Sequence, residues 1–271
     1  MSDDPTWASL GFEEPTAVFQ GPTQNARVWS EGWARRHLFC PSCGAAPVEA
    51  QTANRRVCDF ICTACAEEYE LKSQNGRFGR KVVDGAWASM SERLAQANNP
   101  SLVLMAYDRA RLSVTDLIVV PKHFFTPEII ERRKPLGPQA RRTGWEGCNI
   151  LLERVPEAGK ISLIRAGAFT PRQTVLDQWQ STLFLRETAG ASRGWLTQVM
   201  ACVEAIGAPE FTLEQVYTFE PRLARIYPAN NNIRPKIRQQ LQVLRDLGWL
   251  TFEGRGRYAR SPPIAGENNV F

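Results

Sequence analysis

Two Cys-x-x-Cys pairs constrain this chain more than any other feature. Cys40 and Cys43 form the first and Cys62 and Cys65 the second, with 18 residues between the pairs. Zinc takes four thiolates in a tetrahedron, and two cysteines separated by two residues supply half of that set. In "CPSCG" the Pro and Gly shape a tight turn that lets backbone amides approach the sulfurs. The spacing predicts a closed, structural Zn²⁺ site. A redox pair or coincidental burial are the competing readings, and two pairs at this separation suit a metal better. The chain has seven cysteines, an odd number. The acidic start "MSDDPTWASLGF" has neither a basic nor an apolar leader region. The pairs therefore read as metal ligands in a reducing cytoplasm rather than as a disulfide framework. Cys58, Cys148 and Cys202 read as small buried hydrophobes.

The second pair lies inside "DFICTACAEEYELK", Asp59 to Lys72. "RRVCDFI" and "EEYELKS" have strand composition on either side of "CTAC". Alternation places Cys58, Phe60, Tyr69 and Leu71 on an apolar face, and Asp59, Glu68, Glu70 and Lys72 on the other. With "CTAC" as the turn, Asp59 falls opposite Glu70, and Lys72 projects beside Glu70. Two carboxylates and a lysine then converge. Hard carboxylate oxygens suit Mg²⁺. A bound Mg²⁺ acidifies water and offsets charge on a phosphodiester. A lysine can orient that water or stabilise the developing charge. The pattern Asp-x10-Glu-x-Lys is that of the PD-(D/E)XK nucleases. Asp59 and Glu70 are the expected Mg²⁺ ligands, and Asp59, Glu70 and Lys72 the expected catalytic set. The competing reading is a solvated cross-strand ion pair. Glu31, in the helix before the zinc pairs, is a further candidate carboxylate.

Strands alternating with helices predict an α/β fold with a mixed sheet. "NARVWSEGWARRHLF" has helical spacing, with Val28, Trp29, Trp33 and Leu38 on one side. Asp84 to Ala97 reads as a helix with Asp84 as its N-cap. "SLVLMAYD", "VTDLIVVP" and "GKISLIRAG" read as strands. Residues 1 to about 25 read as loop with a short helix at most, and the tail "SPPIAGENNVF" as unstructured. No run of 18 apolar residues is present, so no membrane span is expected. The segment "ERRKPLGPQARRTGWEGC" differs from its surroundings. It is basic, broken by Pro and Gly, and carries Arg141, Arg142 and Trp145.

A change of pattern near residue 183 divides the chain into residues 1–182 and 183–271. From Arg193 to Arg260 the order reads helix, helix, helix, hairpin, which is a winged helix. On the third helix Ile237, Leu241, Leu244 and Gly248 share the core stripe. Lys236, Arg238, Gln239 and Gln242 fall on the far side, where Arg and Lys suit phosphates and Gln suits adenine. "EGRGRYAR" places Arg255 and Arg257 at a wing tip. The net charge of +5 is only mildly basic, so this local clustering carries the case for DNA. A protein-docking winged helix is the alternative for the module.

The blocks "RVWSEGWARRHLFCPSCG", "CDFICTACAEEYELKS", "DGAWASM", "RRKPLGPQARRTGWEGCNI" and "IRQQLQVLRDLGWLTFEGRGRY" run in one order along the chain. They resemble the DpnI-type methyl-directed restriction endonucleases. The resemblance implies a PD-(D/E)XK domain with an embedded zinc site, followed by a winged helix. It implies Mg²⁺-dependent cleavage of double-stranded DNA at GATC carrying N6-methyladenine. The family's catalytic residues fall on Asp59, Glu70 and Lys72, and its zinc ligands on the four cysteines above. On that reading Trp145, flanked by Arg141 and Arg142, is expected to touch the adenine methyl; a core or loop-packing tryptophan is the competing reading. No obligate protein partner is expected. A non-catalytic zinc and winged-helix DNA-binding regulator is the alternative for the whole chain.

Overall fold

The structure, a computed structural model, describes Gly11 and residues 22–51, 58–188 and 190–261. Most of the N-terminal segment, residues 55–57 of the first expected strand, and the C-terminal tail lie outside the described residues. The elements run α1 (Pro22–His37), β1 (Glu49–Ala50), β2 (Phe60–Ile61), β3 (Glu68–Asn75), β4 (Lys81–Ala86) and α2 (Trp87–Gln96). Next come β5 (Ser101–Asp108), β6 (Ser113–Val120), β7 (Ile130–Arg132), β8 (Gly147–Leu151), β9 (Ile161–Arg165), β10 (Ala168–Phe169) and α3 (Arg172–Gln180). The chain ends with α4 (Gly190–Ile206), β11 (Glu210–Thr212), α5 (Leu213–Tyr217), α6 (Glu220–Ile226), α7 (Ile233–Asp246), β12 (Leu250–Gly254) and β13 (Arg257–Arg260).

The residues fall into two compact units. One comprises 1–80, 95–123 and 159–180, and the other 81–94, 124–158 and 181–271. The first unit holds a seven-stranded mixed sheet in the order β1-β2-β3-β5-β6-β9-β10. The β3–β5 pair is parallel and its neighbours are antiparallel. β5 is buried along almost its whole length, from Ser101 to Tyr107. Its continuous apolar run suits a strand covered on both faces. Trp29, Trp33 and Ala34 form the buried side of α1, and Leu38 and Phe39 are buried just after it. Ser73 of β3 donates to Ser30 of α1 at 2.9 Å, which registers this helix on the strand that carries the acidic site.

The second unit contains a three-stranded antiparallel sheet, β4-β8-β7, and a second sheet, β11-β13-β12, in the winged helix. The helix expected from Asp84 starts later. Asp84 is buried and pairs with Cys148 in the β4–β8 ladder. The register shifts between Asp84 and Ala86, and α2 begins at Trp87, whose N–H donates to Glu146. Asp84 therefore lies within β4, three residues before Trp87, too early in the chain to be the N-cap of α2. The C-terminal module carries two elements beyond the expected order, the short strand β11 and the helix α6. Thr212 caps α5 through a full capping box with Gln215. Pro221 lies in the first turn of α6, where proline is tolerated. On α7 the buried stripe is Ile233, Ile237, Gln240, Leu241 and Leu244. Gly248 lies outside it with φ +76°, in the left-handed conformation that ends the helix. No helix among the described residues is long and apolar enough to cross a membrane.

Candidate nuclease centre and nucleic-acid interface

The four cysteine sulfurs lie within 4.8 Å of one another. Cys40 Sγ is 3.5 Å from Cys65 Sγ, and Cys43 Sγ is 3.6 Å from Cys62 Sγ. A tetrahedron of thiolates around Zn²⁺ at ~2.3 Å has edges of about 3.8 Å. The cluster therefore has the size and donor set of a structural zinc centre. Backbone turns build both halves. Gly44 N–H donates to Cys40, and Ala66 N–H donates to Cys62, each at 2.8 Å. Gly44 sits at φ +81°, where an L side chain is strained. Burial pushes the Cys40 thiol well above its usual range. Binding a metal is what turns such a thiol into a thiolate.

The second knuckle is the turn between β2 and β3. Phe60 pairs with Tyr69 and Ile61 with Glu68. Continuing that register sets Asp59 opposite Glu70, and Asp59 N–H donates to the Tyr69 carbonyl at 2.9 Å. Asp59 Oδ2 accepts from the Leu71 N–H at 2.8 Å. Lys72 Nζ lies 2.6 Å from Glu70 Oε1. Cys58, Phe60 and Tyr69 are buried beneath, while Asp59, Glu70 and Lys72 stay partly open. The structure thus brings the three expected catalytic residues to one face of one hairpin.

An open cleft of about 680 Å³ adjoins Asp59. Arg27, Glu31, Arg35, Glu49 and Gln51 line it with Asp59. Arg27 ion-pairs with Glu31 one turn along α1 and approaches Asp59 Oδ1 at 3.9 Å. Cationic side chains therefore stand against both acids, Lys72 at Glu70 and Arg27 at Asp59. Carboxylate oxygens are hard donors of the kind that Mg²⁺ takes. The knuckle is braced from behind by Glu67. Its buried carboxylate accepts from Ser101 at 2.8 Å and pairs with Lys122 at 3.1 Å.

The other expected residues lie in the second unit. Arg141 and Arg142 are exposed and Trp145 is half-buried. The loop between β7 and β8 is closed by its own backbone: Leu136 N–H donates to Trp145 and Gly144 N–H to Leu136, each at 2.9 Å. Arg142 stacks over the Trp145 ring at 4.7 Å. Gly147 lies close against the six-membered ring of the indole. A Cβ there would come within 2.8 Å of the indole.

On α7, Arg238, Gln239 and Gln242 are exposed and Lys236 is half-buried. Lys236 donates to Gln239 at 2.8 Å, and Arg238 donates to the Tyr217 hydroxyl at 2.6 Å. Arg255 and Gly256 form the two-residue tip of the wing, with φ of +41° and +74°. Positive φ at both central residues matches the twist of the flanking strands. Arg257 pairs loosely with Glu210 at 3.6 Å.

A mixed-sheet α/β domain with a cysteine-clamped acidic hairpin, joined in one chain to a winged helix, defines a DNA-processing protein with its own DNA-binding module. Comparison with family models assigns it further. The chain belongs to the DpnI, or Dam-replacing, family: that model matches residues 12–188, and the Dam-replacing HTH-domain model matches residues 191–260. It is therefore a methyl-dependent restriction endonuclease with an HTH DNA-binding domain.

Proposed function

We propose that this protein hydrolyses both strands of DNA at GATC when the adenine carries an N6-methyl group, with Mg²⁺ as the catalytic ion. One observation carries the reading. The β2–β3 register sets Asp59 across from Glu70, and Lys72 projects from the same face. Asp59 and Glu70 hold the metal. When bound, Mg²⁺ acidifies the attacking water and offsets charge on the phosphate. Lys72 sits where it can orient that water and stabilise the charge that develops on the phosphoryl oxygens. The water gives up a proton and adds to phosphorus, the bond to the 3′-oxygen breaks and that oxygen takes up a proton, and the products are a 5′-phosphate and a 3′-hydroxyl.

The winged helix holds the duplex through Arg238, Gln239, Gln242 and Lys236 on α7 and through Arg255 and Arg257 on the wing. Trp145, with Arg141 and Arg142, contacts the methyl group. A single methyl is worth roughly 1–3 kcal/mol of discrimination, so reading it more than once compounds the preference. The four cysteines hold Zn²⁺ and keep the acidic hairpin in shape. The protein works in the cytoplasm, where its DNA lies and its thiolates stay reduced. Adenine-methylated and unmethylated plasmids, each incubated with the protein and Mg²⁺, test this reading. Linear fragments ending at GATC are expected from the methylated plasmid alone. An intact methylated plasmid would defeat it.

A further inference from the structure

Tyr69 is fully buried and sits between the cysteine cluster and the acidic pair. Its phenol oxygen lies 3.0 Å from Cys40 Sγ. A sulfur that ligates zinc as a thiolate has no proton to give, so on the zinc reading the phenol O–H is the donor and the sulfur the acceptor. The Tyr69 carbonyl accepts the Asp59 N–H at 2.9 Å. The next residue in the chain is Glu70, and the next N–H, that of Leu71, holds the Asp59 carboxylate at 2.8 Å. One residue thus touches the cysteine cluster with its side chain and both acids through its backbone.

We propose that Tyr69 is a positioning residue that couples the zinc centre to the Mg²⁺-binding acids. The inference rests on the zinc and catalytic readings above. A hydrogen bond to a ligating sulfur draws charge from it and fixes its direction, and such outer partners tune metal affinity by ~10–100-fold. Phe60 and Tyr69 are paired across the hairpin. A shift of the Tyr69 ring therefore moves the strand segment that sets the separation of Asp59 from Glu70. Tyr69 does not touch the scissile phosphate. Its effect on cleavage passes through the geometry of the acids.

The test uses full-length native and Tyr69→Phe proteins. Zinc content is measured first. Zinc release to an excess of chelator is then followed with a metallochromic dye. Magnesium dependence of methylated-plasmid cleavage is measured last. The expected result is one zinc per chain in both proteins and release about ten-fold faster from Tyr69→Phe. The Mg²⁺ concentration for half-maximal cleavage should rise several-fold, with affinity for methylated duplex in Ca²⁺ unchanged. Equal release rates from the two zinc-loaded proteins would overturn the coupling. Native protein with well under one zinc per chain would instead refute the zinc reading beneath it, and a native protein that never cuts would refute the catalytic one. If Tyr69→Phe fails to fold, 3,5-difluorotyrosine at position 69 keeps the shape and strengthens the donor. Zinc release slower than native then supports the inference, and an unchanged rate overturns it.

Discussion

Asp59 accepts a hydrogen bond from the Leu71 N–H across the hairpin at 2.8 Å. One carboxylate oxygen is thereby fixed to the strand that carries Glu70 and Lys72, and the other faces the cleft beside Arg27. An amide can keep the fixed bond and cannot replace the charge. Asp59→Asn is therefore expected to fold and bind methylated duplex like the native protein while losing cleavage by at least about 100-fold. Binding in Ca²⁺ and cleavage in Mg²⁺, measured on the same preparation, check both halves. Cleavage at the native rate would remove Asp59 from the catalytic set.

Cys62 closes the turn between β2 and β3, and its N–H bonds the Glu67 carbonyl at 2.9 Å. Removing its thiolate takes one of four ligands from the cluster and frees the turn. Cys62→Ser is expected to lose zinc, lower the melting temperature and abolish cleavage, although no catalytic atom is removed. Structural zinc contributes folding free energy directly. Metal analysis, thermal unfolding and plasmid cleavage give the three readouts. A folded, zinc-free and fully active variant would separate the cluster from the site.

Much of this hairpin was legible in the sequence. Period-2 alternation fixed which side chains share a face, and the length of the knuckle fixed the register that brings Asp59 opposite Glu70. Trp29 and Trp33 marked the buried side of α1 by helical spacing alone. The rest depended on contacts distant in sequence. β4 pairs with β8 from Lys81 with Leu151 to Ala86 with Gly147, and nothing local to Asp84 announces that partner. Tyr69 reads as one more apolar-face residue, and its hydroxyl gains meaning only when Cys40 arrives from 29 positions away. Arg238 has the composition of a free DNA-reading side chain. In the structure it donates to Tyr217, so it reaches DNA only by leaving or extending that bond.

Glu131 links the three strands of the second unit's sheet. It accepts from Asn149 of β8 at 2.6 Å and from Lys81 of β4 at 3.0 Å. The Asn149 bond, then the lysine, holds its carboxyl below the ordinary value of 4.5. A depressed carboxylate adds stability above its unfolded pKa and loses it as pH falls through the folded one. The side chain is 42% exposed, so solvent screens most of the effect. Glu131→Gln is expected to cost under about 1 kcal/mol at neutral pH. The gap from native should close as the pH falls below the ordinary carboxylate value. Urea unfolding of both proteins across that range measures it, and a gap that widens toward acid would contradict the assignment.

Trp145 is the side chain on which methyl preference is expected to turn. Its ring is held on one side by Arg142 at 4.7 Å and leaves no room for a Cβ at Gly147. A methyl group adds an apolar contact worth roughly 1–3 kcal/mol. Trp145→Ala should thus lower the preference for methylated over unmethylated GATC by about ten-fold or more. Truncation also removes packing, so Gly147→Ala provides the control. It keeps the indole and displaces it, because the added carbon would lie 2.8 Å from the ring. Both variants should lose preference while retaining affinity for unmethylated duplex, which depends on phosphate contacts. Matched rates on methylated and unmethylated oligonucleotides give the ratio. An undiminished ratio in Trp145→Ala would mean the indole only packs the loop, and methyl recognition would then fall to the winged helix alone.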